Sequence, residues 1–288
     1  MPSRIDHVII AAPDLALLEE TFTRLGFSVV GGGVHPHLGT RNRIIILGEG
    51  YIELLALADA THASAVLRER IALGGGWVGY ALQSDDIAAE ALAMRARGVD
   101  VRGPSRGSLV APNGARRGWQ VVTIGSDDLW AAALPLPFLI QHDSSGARHQ
   151  QELAGADNLT PHTNAVTRIV GVTLRATDLA ALRERYEQAY ALTPTVGGPH
   201  RSADLAGVTY ALGDTGEWVH LAQPANAPVQ VGLATGDDFA MSVRVSAPDL
   251  AAVEHAIWHA GLAVTRHSDA LSVIIPGTTA ELQFTALP

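Results

Sequence analysis

The sequence contains no cysteine and no lysine. Without cysteine, the chain can form neither disulfides nor thiolate zinc sites, and it has no cysteine nucleophile. Without lysine, all 20 basic residues are arginine, which excludes a Schiff-base lysine and the lysine of a phosphate-binding P-loop. The lack of cysteine fits a cytoplasmic protein, and we expect that location.

Other signals are absent as well. The sequence has no run of eighteen apolar residues, so no membrane span is predicted. Met1–Arg4 leads directly into the first apolar run, where no signal peptide is visible. The formal net charge is -9 and no basic run offsets it, so we expect neither nucleic acid nor a membrane as a partner. The glycine triplets lack the spacing of a dinucleotide site, so no nucleotide cofactor is expected.

What the sequence does contain is one motif that occurs four times. In each copy an apolar run leads to an aspartate, which is followed by Leu or Ile and an alanine-rich stretch. The copies are IDHVIIAAPDL (Ile5–Leu15), WVGYALQSDDI (Trp77–Ile87), IVGVTLRATDL (Ile169–Leu179) and AMSVRVSAPDL (Ala240–Leu250). This regularity indicates four copies of one structural unit, whose equivalent positions can be compared.

Each copy predicts a strand followed by a helix. The Val- and Ile-rich run is typical of a strand, and an aspartate such as Asp14 can accept the free N–H groups of the first helical turn. Leu15–Leu25 has apolar residues at helical spacing, and Gly26 is a typical helix stop. Three strand-like segments follow in the first copy, at Phe27–Val30, Arg43–Leu47 and Tyr51–Leu57. The predicted unit is βαβββ, with the glycine triplets as turns.

The four units divide into two pairs. The stretch from Gln141 to Asn164 is polar and lacks hydrophobic periodicity, so it separates the first two units from the last two. We predict an N-terminal domain at residues 1–140, a linker at 141–166 and a C-terminal domain at 167–288. A chain of 288 residues has room for two such domains. The predicted fold class is α+β, with four βαβββ modules paired into two domains.

With these four modules, the chain resembles the vicinal oxygen chelate superfamily, which includes glyoxalase I, extradiol dioxygenases and the fosfomycin- and bleomycin-resistance proteins. Three segments are similar to its glyoxalase-like branch: HPHLGTRN (His35–Asn42), GEGYIELLAL (Gly48–Leu57) and LPFLIQHD (Leu136–Asp143). The resemblance implies that each pair of modules curls its sheet around a cleft. It also implies metal ligands in the first and last strand of each module. It does not define a reaction, because the fold supports many chemistries.

The repeat identifies the residues at these ligand positions. Those in the first strands, seven residues before each repeated aspartate, are His7, Gly79, Gly171 and Ser242. For the last strands, matching sequence contexts select Glu53 and His220, and an offset of thirty-two residues from the aspartate selects Gly118 and Glu281. The first domain therefore offers two metal donors, where the superfamily has three or four. His220 with Glu281 is a weaker candidate for a second site.

His7 and Glu53 are the strongest candidates on physical grounds as well. Both lie in apolar strands, where a carboxylate is costly to bury unless it is paired or hydrogen-bonded. A neighbouring imidazole is a natural partner for it. We therefore expect these two residues to form a cleft-facing acid/base pair or to bind a metal ion together. The alternative interpretation is that one of them faces solvent or that they form a purely structural hydrogen bond.

The HPHLGTRN loop adds polar groups to the same module. Its resemblance to the glyoxalase-like branch selects His35 as a third catalytic or metal-binding residue, and Thr40 and Asn42 as substrate-binding residues. In an extended segment, His35 and His37 would share one face. Trp119 is expected to form an apolar wall of the cleft, with a place in the core as the alternative. The neighbouring Arg116 and Arg117 could meet an anionic ligand or face water.

Two classes of function remain. The first is a lyase or isomerase that acts on a small polar organic molecule, assisted by one divalent metal ion bound to His7, Glu53 and His35. Without cysteine, the remaining ligand types suit zinc, manganese, iron or nickel. The second is a non-catalytic protein that binds or sequesters a small molecule, as antibiotic-binding relatives do. Either function is compatible with a homodimer.

Overall fold

The computed structural model describes residues 2–110, 116–132, 134–195, 205–224 and 239–286. The first half contains β1 (Ile5–Ala11), α1 (Leu15–Arg24), β2 (Val30–His35), β3 (Thr40–Leu47), β4 (Gly50–Leu57), α2 (Ala65–Ala72), β5 (Gly76–Gln83), α3 (Ile87–Ala96), β6 (Val101–Val110), β7 (Arg116–Ile124), α4 (Leu129–Ala132), β8 (Phe138–His142) and α5 (Gly146–Ala154). The second half contains β9 (Arg168–Ala176), α6 (Leu179–Tyr190), β10 (Leu205–Leu212), β11 (Glu217–Pro224), β12 (Phe239–Ala247), α7 (Leu250–His259), β13 (Thr265–Arg266), β14 (Ala270–Ile274) and β15 (Glu281–Ala286).

These elements form two mixed sheets, one in each domain. The first sheet has the strand order β2-β3-β4-β1-β5-β8-β7-β6, and the second has the order β10-β11-β9-β12-β15-β14-β13. In each sheet the first strands of two modules pair antiparallel, β1 with β5 and β9 with β12. Each of these strands also pairs in parallel with the last strand of its own module. The predicted α+β class with paired modules is confirmed.

The repeated aspartates begin the four long helices. The side chains of Asp14, Asp86, Asp178 and Asp249 each accept a backbone N–H from the first turn of α1, α3, α6 and α7. A carboxylate at this position satisfies amide groups that have no partner within the helix. The cap follows a strand in every module, so the sequence motif directly encodes the strand-to-helix turn.

The two faces of the first sheet bury different groups. Val8 and Ile10 of β1 belong to a large core that also includes the four long helices and residues of the second domain. Ile9 and Ala11 point the other way and pack with β4, β5, β8, α2 and α4 in a smaller cluster. This alternation is the two-residue period of a strand. It assigns Ile9, Ala11 and, two residues before Ile9, His7 to the concave face.

The two domains contact each other through polar groups as well as the shared core. The hydroxyl of Tyr80 in β5 is hydrogen-bonded to the hydroxyl of Tyr186 in α6 of the second domain. Trp77 Nε1 donates to the carbonyl oxygen of Glu281 at 2.9 Å. Between the domains, the segment predicted as a linker contains α5, which packs against β2 and β3. The predicted boundaries at residues 140 and 167 stay predictions.

Two sequence-based assignments are wrong. Gly31–Gly33 was expected to form a turn, but this triplet lies within β2. The strand begins at Val30, three residues after the start of the predicted segment Phe27–Val30. The backbone of α5 packs directly on it, so a Cβ atom at Gly31 would lie 1.8 Å from the carbonyl oxygen of Leu153. Gly118 was expected in the last strand of module two, but it lies in β7, and β8 is the last strand.

Among the residues that the structure describes, no helix is long and apolar enough to cross a membrane.

Candidate functional site

A cavity of about 70 Å³ lies on the concave face of the first sheet. It is lined by side chains from β1, β2, β3, β4, β7 and β8, by the turn between β2 and β3, and by α4. Its polar lining consists of His7, His35, Asn42, Glu53, Arg117 and His142, and its aromatic lining consists of Tyr51, Trp119, Trp130 and Phe138. The space suits a small organic molecule.

His7 is oriented by its neighbour Asp6. The Nδ1 atom of His7 lies 2.6 Å from Oδ1 of Asp6, and both side chains are buried. Burial alone would raise the pKa of Asp6, but electrostatic interactions and hydrogen bonds with His142 and His7 hold it well below its usual range. Asp6 is therefore ionised and can only accept, so Nδ1 of His7 carries the proton. The lone pair of a neutral His7 then lies on Nε2.

The Asp6–His7 contact depends on an irregularity in β1. Adjacent residues of a regular strand point to opposite faces. Between Ile5 and His7, however, the pairing of β1 with β5 shifts register, so that Ile5 pairs with Leu82 and His7 with Ala81. An extra residue of this kind locally redirects side chains. It accounts for the presence of Asp6 beside His7 and within 3.1 Å of His142 Nε2.

Glu53 faces His7 from β4. Its Oε2 atom lies 3.9 Å from Nε2 of His7, and its Oε1 atom accepts a hydrogen bond of 2.5 Å from Asn42 Nδ2. Residue 53 of β4 pairs with Ile9 of β1 and with Ile44 of β3. Asn42 precedes Ile44 by two residues in β3, so it lies on the same face. The register of three strands therefore brings the predicted pair together and positions Asn42 to orient Glu53.

His35 lies at the edge of the cavity. Its Nδ1 atom is 3.1 Å from Oγ1 of Thr40, and its ring contacts Trp119 edge-on. Burial lowers the pKa of His35, the charge of Glu53 raises it, and the charge of Arg117 lowers it further. The ring is neutral at pH 7. Thr40 is fully buried behind His35 and does not line the cavity, so its predicted place beside a substrate is corrected to a place behind His35.

His37 does not share a face with His35. Pro36–Leu38 forms a 3₁₀ turn between β2 and β3, and His37 is exposed to solvent. The prediction assumed an extended segment, in which residues two apart point the same way. Pro36 favours the turn instead, because its fixed φ suits the first position of a helical turn. Only one of the two histidines therefore reaches the cavity.

Three further residues surround the pair and were not selected from the sequence. Tyr51 stacks on the His7 ring with a centroid separation of 4.5 Å. Burial and the charges of Asp6 and Glu53 raise the pKa of Tyr51, so its hydroxyl stays protonated. The rings of His142 and His149 lie 4.1 Å apart. Burial, with the positive charges of His142 and Arg117, lowers the pKa of His149 to about 4. The segment LPFLIQHD contains His142 and was the available signal for it.

The donor set does not fit a metal ion held by three protein ligands. Among the described residues, no group of three or more His, Cys, Asp or Glu side chains could hold a metal ion. The structure does not join His35 to His7 and Glu53 in such a group. The sheet register places Gly79 and Phe138 of module two at the positions of His7 and Glu53, and neither has a metal-binding side chain. The predicted three-ligand site is therefore incomplete.

The second domain does not assemble a comparable pair in its described part. Gly171 occupies the position of His7, and the ring of Trp218 lies so close to it that a Cβ atom there would be 2.1 Å from Cε2 of the ring. His220 is hydrogen-bonded to Thr209 at 2.8 Å. Glu281 pairs with Arg175 at 3.1 Å. Register comparison shows that Glu281 matches Tyr51 rather than Glu53, a displacement of two residues from the prediction.

Comparisons with known proteins agree with the fold. The model of the glyoxalase-like domain family matches residues 5–191. No curated protein matches the chain. A hypothetical protein from Staphylococcus aureus has a similar structure, with a TM-score of 0.67 and 16% identity over 98% of this chain and 99% of that chain. A mutant of 4-hydroxymandelate synthase from Streptomyces coelicolor aligns with a TM-score of 0.61 and 15% identity over 99% of this chain and 92% of that chain.

Proposed function

The chain belongs to the glyoxalase-like domain family, and from that premise we propose that its first domain is an enzyme that transfers protons on a small polar organic molecule, as a lyase or an isomerase. One observation carries the proposal. Two ionisable side chains, His7 and Glu53, face each other across 3.9 Å in one cavity, and each is held by a separate buried partner. Oriented groups of this kind are what general acid–base catalysis requires.

His7 is the proposed base. Because Asp6 accepts a hydrogen bond from the protonated Nδ1, the lone pair of the His7 ring is on Nε2, which faces the cavity. A carboxylate that fixes the tautomer and orientation of a histidine also stabilises the imidazolium that forms when the histidine takes a proton. In the proposed step, a C–H bond beside a carbonyl group breaks and its proton passes to Nε2. The electron pair moves to the carbonyl oxygen.

Glu53 is the proposed second group. The hydrogen bond from Asn42 occupies Oε1 and leaves Oε2 toward His7. The separation of 3.9 Å is too long for a direct hydrogen bond, so a substrate atom or a water can lie beside both groups. An isomerase returns the proton to a different atom or face of the substrate, and a lyase passes it to a leaving group. A pair of proton-transfer groups serves either reaction.

His35 and Trp119 are the proposed substrate contacts. His35 is held by Thr40 and is neutral at pH 7, so its other ring nitrogen can form a hydrogen bond to a substrate oxygen without adding charge. Trp119 forms part of the apolar wall. The expected divalent metal has no part in the proposed steps, because only His7 and Glu53 occupy the ligand positions and a third protein ligand is missing among the described residues.

The test is deuterium exchange from D₂O into a panel of small ketones, 2-oxo acids and 2-hydroxy ketones, followed by proton NMR. Wild type should exchange at least one compound, and His7→Gln or Glu53→Gln should slow that exchange by about 10²- to 10⁴-fold. His220→Gln, which replaces a buried histidine of the second domain, is the control and should retain the rate within about two-fold. Compounds that bind without exchange in wild type would contradict an enzyme and support a sequestering protein.

A further inference from the structure

Arg117 is a buried cation whose role the proposed proton transfer does not explain. It lies on β7, lines the cavity and is 8% exposed. Its Nε atom is buried and has no hydrogen-bond partner among the described residues. Arg70 is equally buried, but it donates to the carbonyl oxygens of Val78 and Trp130 at 3.1 and 3.2 Å. The fold therefore satisfies one buried guanidinium with its own acceptors and leaves Nε of the other unpaired.

A buried guanidinium with an unpaired Nε atom is unfavourable for the free protein. Removal of a charge from water costs several kcal/mol unless a partner compensates for it. The charge of Arg117 also acts on its neighbours: after burial, it is one of the causes that lower the pKa of His35 and His149. A bound anion would relieve both effects. The guanidinium is planar and presents several N–H donors in a fixed geometry, which matches the two oxygens of a carboxylate.

We infer that Arg117 binds the carboxylate of the substrate, so that the natural ligand of the cavity is a small carboxylic acid. Arg117, His7 and Glu53 line the same cavity. A carboxylate held by Arg117 would leave the rest of a three- or four-carbon acid beside the proton-transfer pair. Only the placement of the acid beside the proton-transfer pair rests on the proposed function, because anion binding at Arg117 does not require catalysis.

Binding can be measured without turnover. The probes are acetate, glyoxylate, pyruvate and 2-oxobutanoate, each paired with its neutral amide, and inorganic phosphate. Dissociation constants follow from NMR titration of each probe against the full chain. We expect at least one carboxylate to bind wild type at least about ten-fold more tightly than its amide, which corresponds to about 1.4 kcal/mol. Arg117→Met should lose at least the same factor, and Arg117→Lys should recover part of it.

Arg116→Met is the matched control, because Arg116 is the exposed neighbour on the same strand. Its affinity for the acids should stay within about two-fold of wild type. Failure of every acid to bind wild type, equal binding of acid and amide, unchanged binding in Arg117→Met, or tighter binding of phosphate than of any acid would overturn the inference. If Arg117→Met does not fold, the acid–amide comparison in wild type and the Arg117→Lys titration decide the question.

The two proposals fail in different ways. Carboxylates that bind through Arg117 but never exchange deuterium would support the anion site and contradict the proposed catalysis. Exchange on neutral ketones alone, with no preference for acids, would support the proton-transfer pair and contradict the anion site. A second readout is the pKa of His149, measured by NMR. It should rise from about 4 in Arg117→Met and when a bound acid neutralises the Arg117 charge, and it should not change in Arg116→Met.

Discussion

Asp6→Asn tests whether the buried carboxylate is the group that holds the site together. In wild type, one oxygen of Asp6 accepts from His7 at 2.6 Å and from His142 at 3.1 Å. The other oxygen, Oδ2, is buried and has no hydrogen-bond partner among the described residues. The substitution keeps the shape of the side chain. It removes the charge and places an amide NH₂ in one of the two oxygen positions.

The expected loss of stability follows from these contacts. A hydrogen bond to a charged group contributes about 1 kcal/mol more than a neutral one, and Asp6 forms two of them, so about 2 kcal/mol is lost. If the amide NH₂ replaces Oδ2, it lacks an acceptor, and this adds about 1 kcal/mol. The pKa of Asp6 is lowered on folding, so its contribution is full above the unfolded value of 3.8 and is lost as the pH falls below it.

The assay is urea unfolding of wild type and Asp6→Asn between pH 3 and pH 7. We expect Asp6→Asn to be less stable by about 2 to 3 kcal/mol at pH 5 to 7, with a difference that shrinks as the pH falls below about 4. Asp143→Asn is the control, because Asp143 forms an exposed ion pair with Arg106, and it should change stability by less than about 1 kcal/mol. Equal stability of Asp6→Asn and wild type at pH 7 would refute an ionised, doubly bonded Asp6.

Three further outcomes are expected. Burial raises the pKa of Glu217 to about 7, so stability falls as the pH rises from 4.5 to 7. In urea unfolding, Glu217→Gln should therefore raise the free energy of unfolding by up to about 3 kcal/mol at pH 8 and by almost nothing at pH 4. Gly31→Ala should lower the free energy of unfolding by about 3 kcal/mol, because φ is +53° and the added Cβ atom would meet backbone atoms. Gly125→Ala, where the Cβ atom would meet open space, should cost only the strain of a positive φ. Elemental analysis should find less than one metal ion per chain in a variant that has both His255 and His259 replaced by Ala and so lacks the exposed histidine pair of α7. One full equivalent of metal in that variant, lost when His7 and Glu53 are also substituted, would contradict a site that works without a metal ion.

The parts of the fold that could be predicted from the sequence are those encoded locally. A strand, an aspartate cap and a helix follow one another within about twenty residues, and four copies confirm one another. The repeat also selected His7 and Glu53 of module one, because modules one and three preserve the same strand register: Gly171 and His220 lie at the corresponding positions. The same method failed at Gly118, since module two has a longer connection that contains α4 before its last strand, and a fixed offset cannot follow an insertion.

The parts of the site that could not be predicted depend on tertiary structure. Asp6 is adjacent to His7, so the two-residue period places them on opposite faces, and only the register shift in β1 brings them together. Arg116 and Arg117 are indistinguishable in the sequence, whereas one is exposed and the other buried. The interpretation of Gly31–Gly33 as a turn failed because close approach of α5, rather than chain reversal, requires glycine there.

The most direct test of the central claim is a double-substitution cycle on the exchange reaction. The rates of wild type, His7→Gln, Glu53→Gln and the double variant are measured on one exchanging compound. Groups that act on the same transition state are strongly non-additive, so we predict that the double variant is about as slow as the slower single variant. If either single substitution leaves the rate unchanged, or if the two losses multiply in the double variant, His7 and Glu53 do not work as a pair.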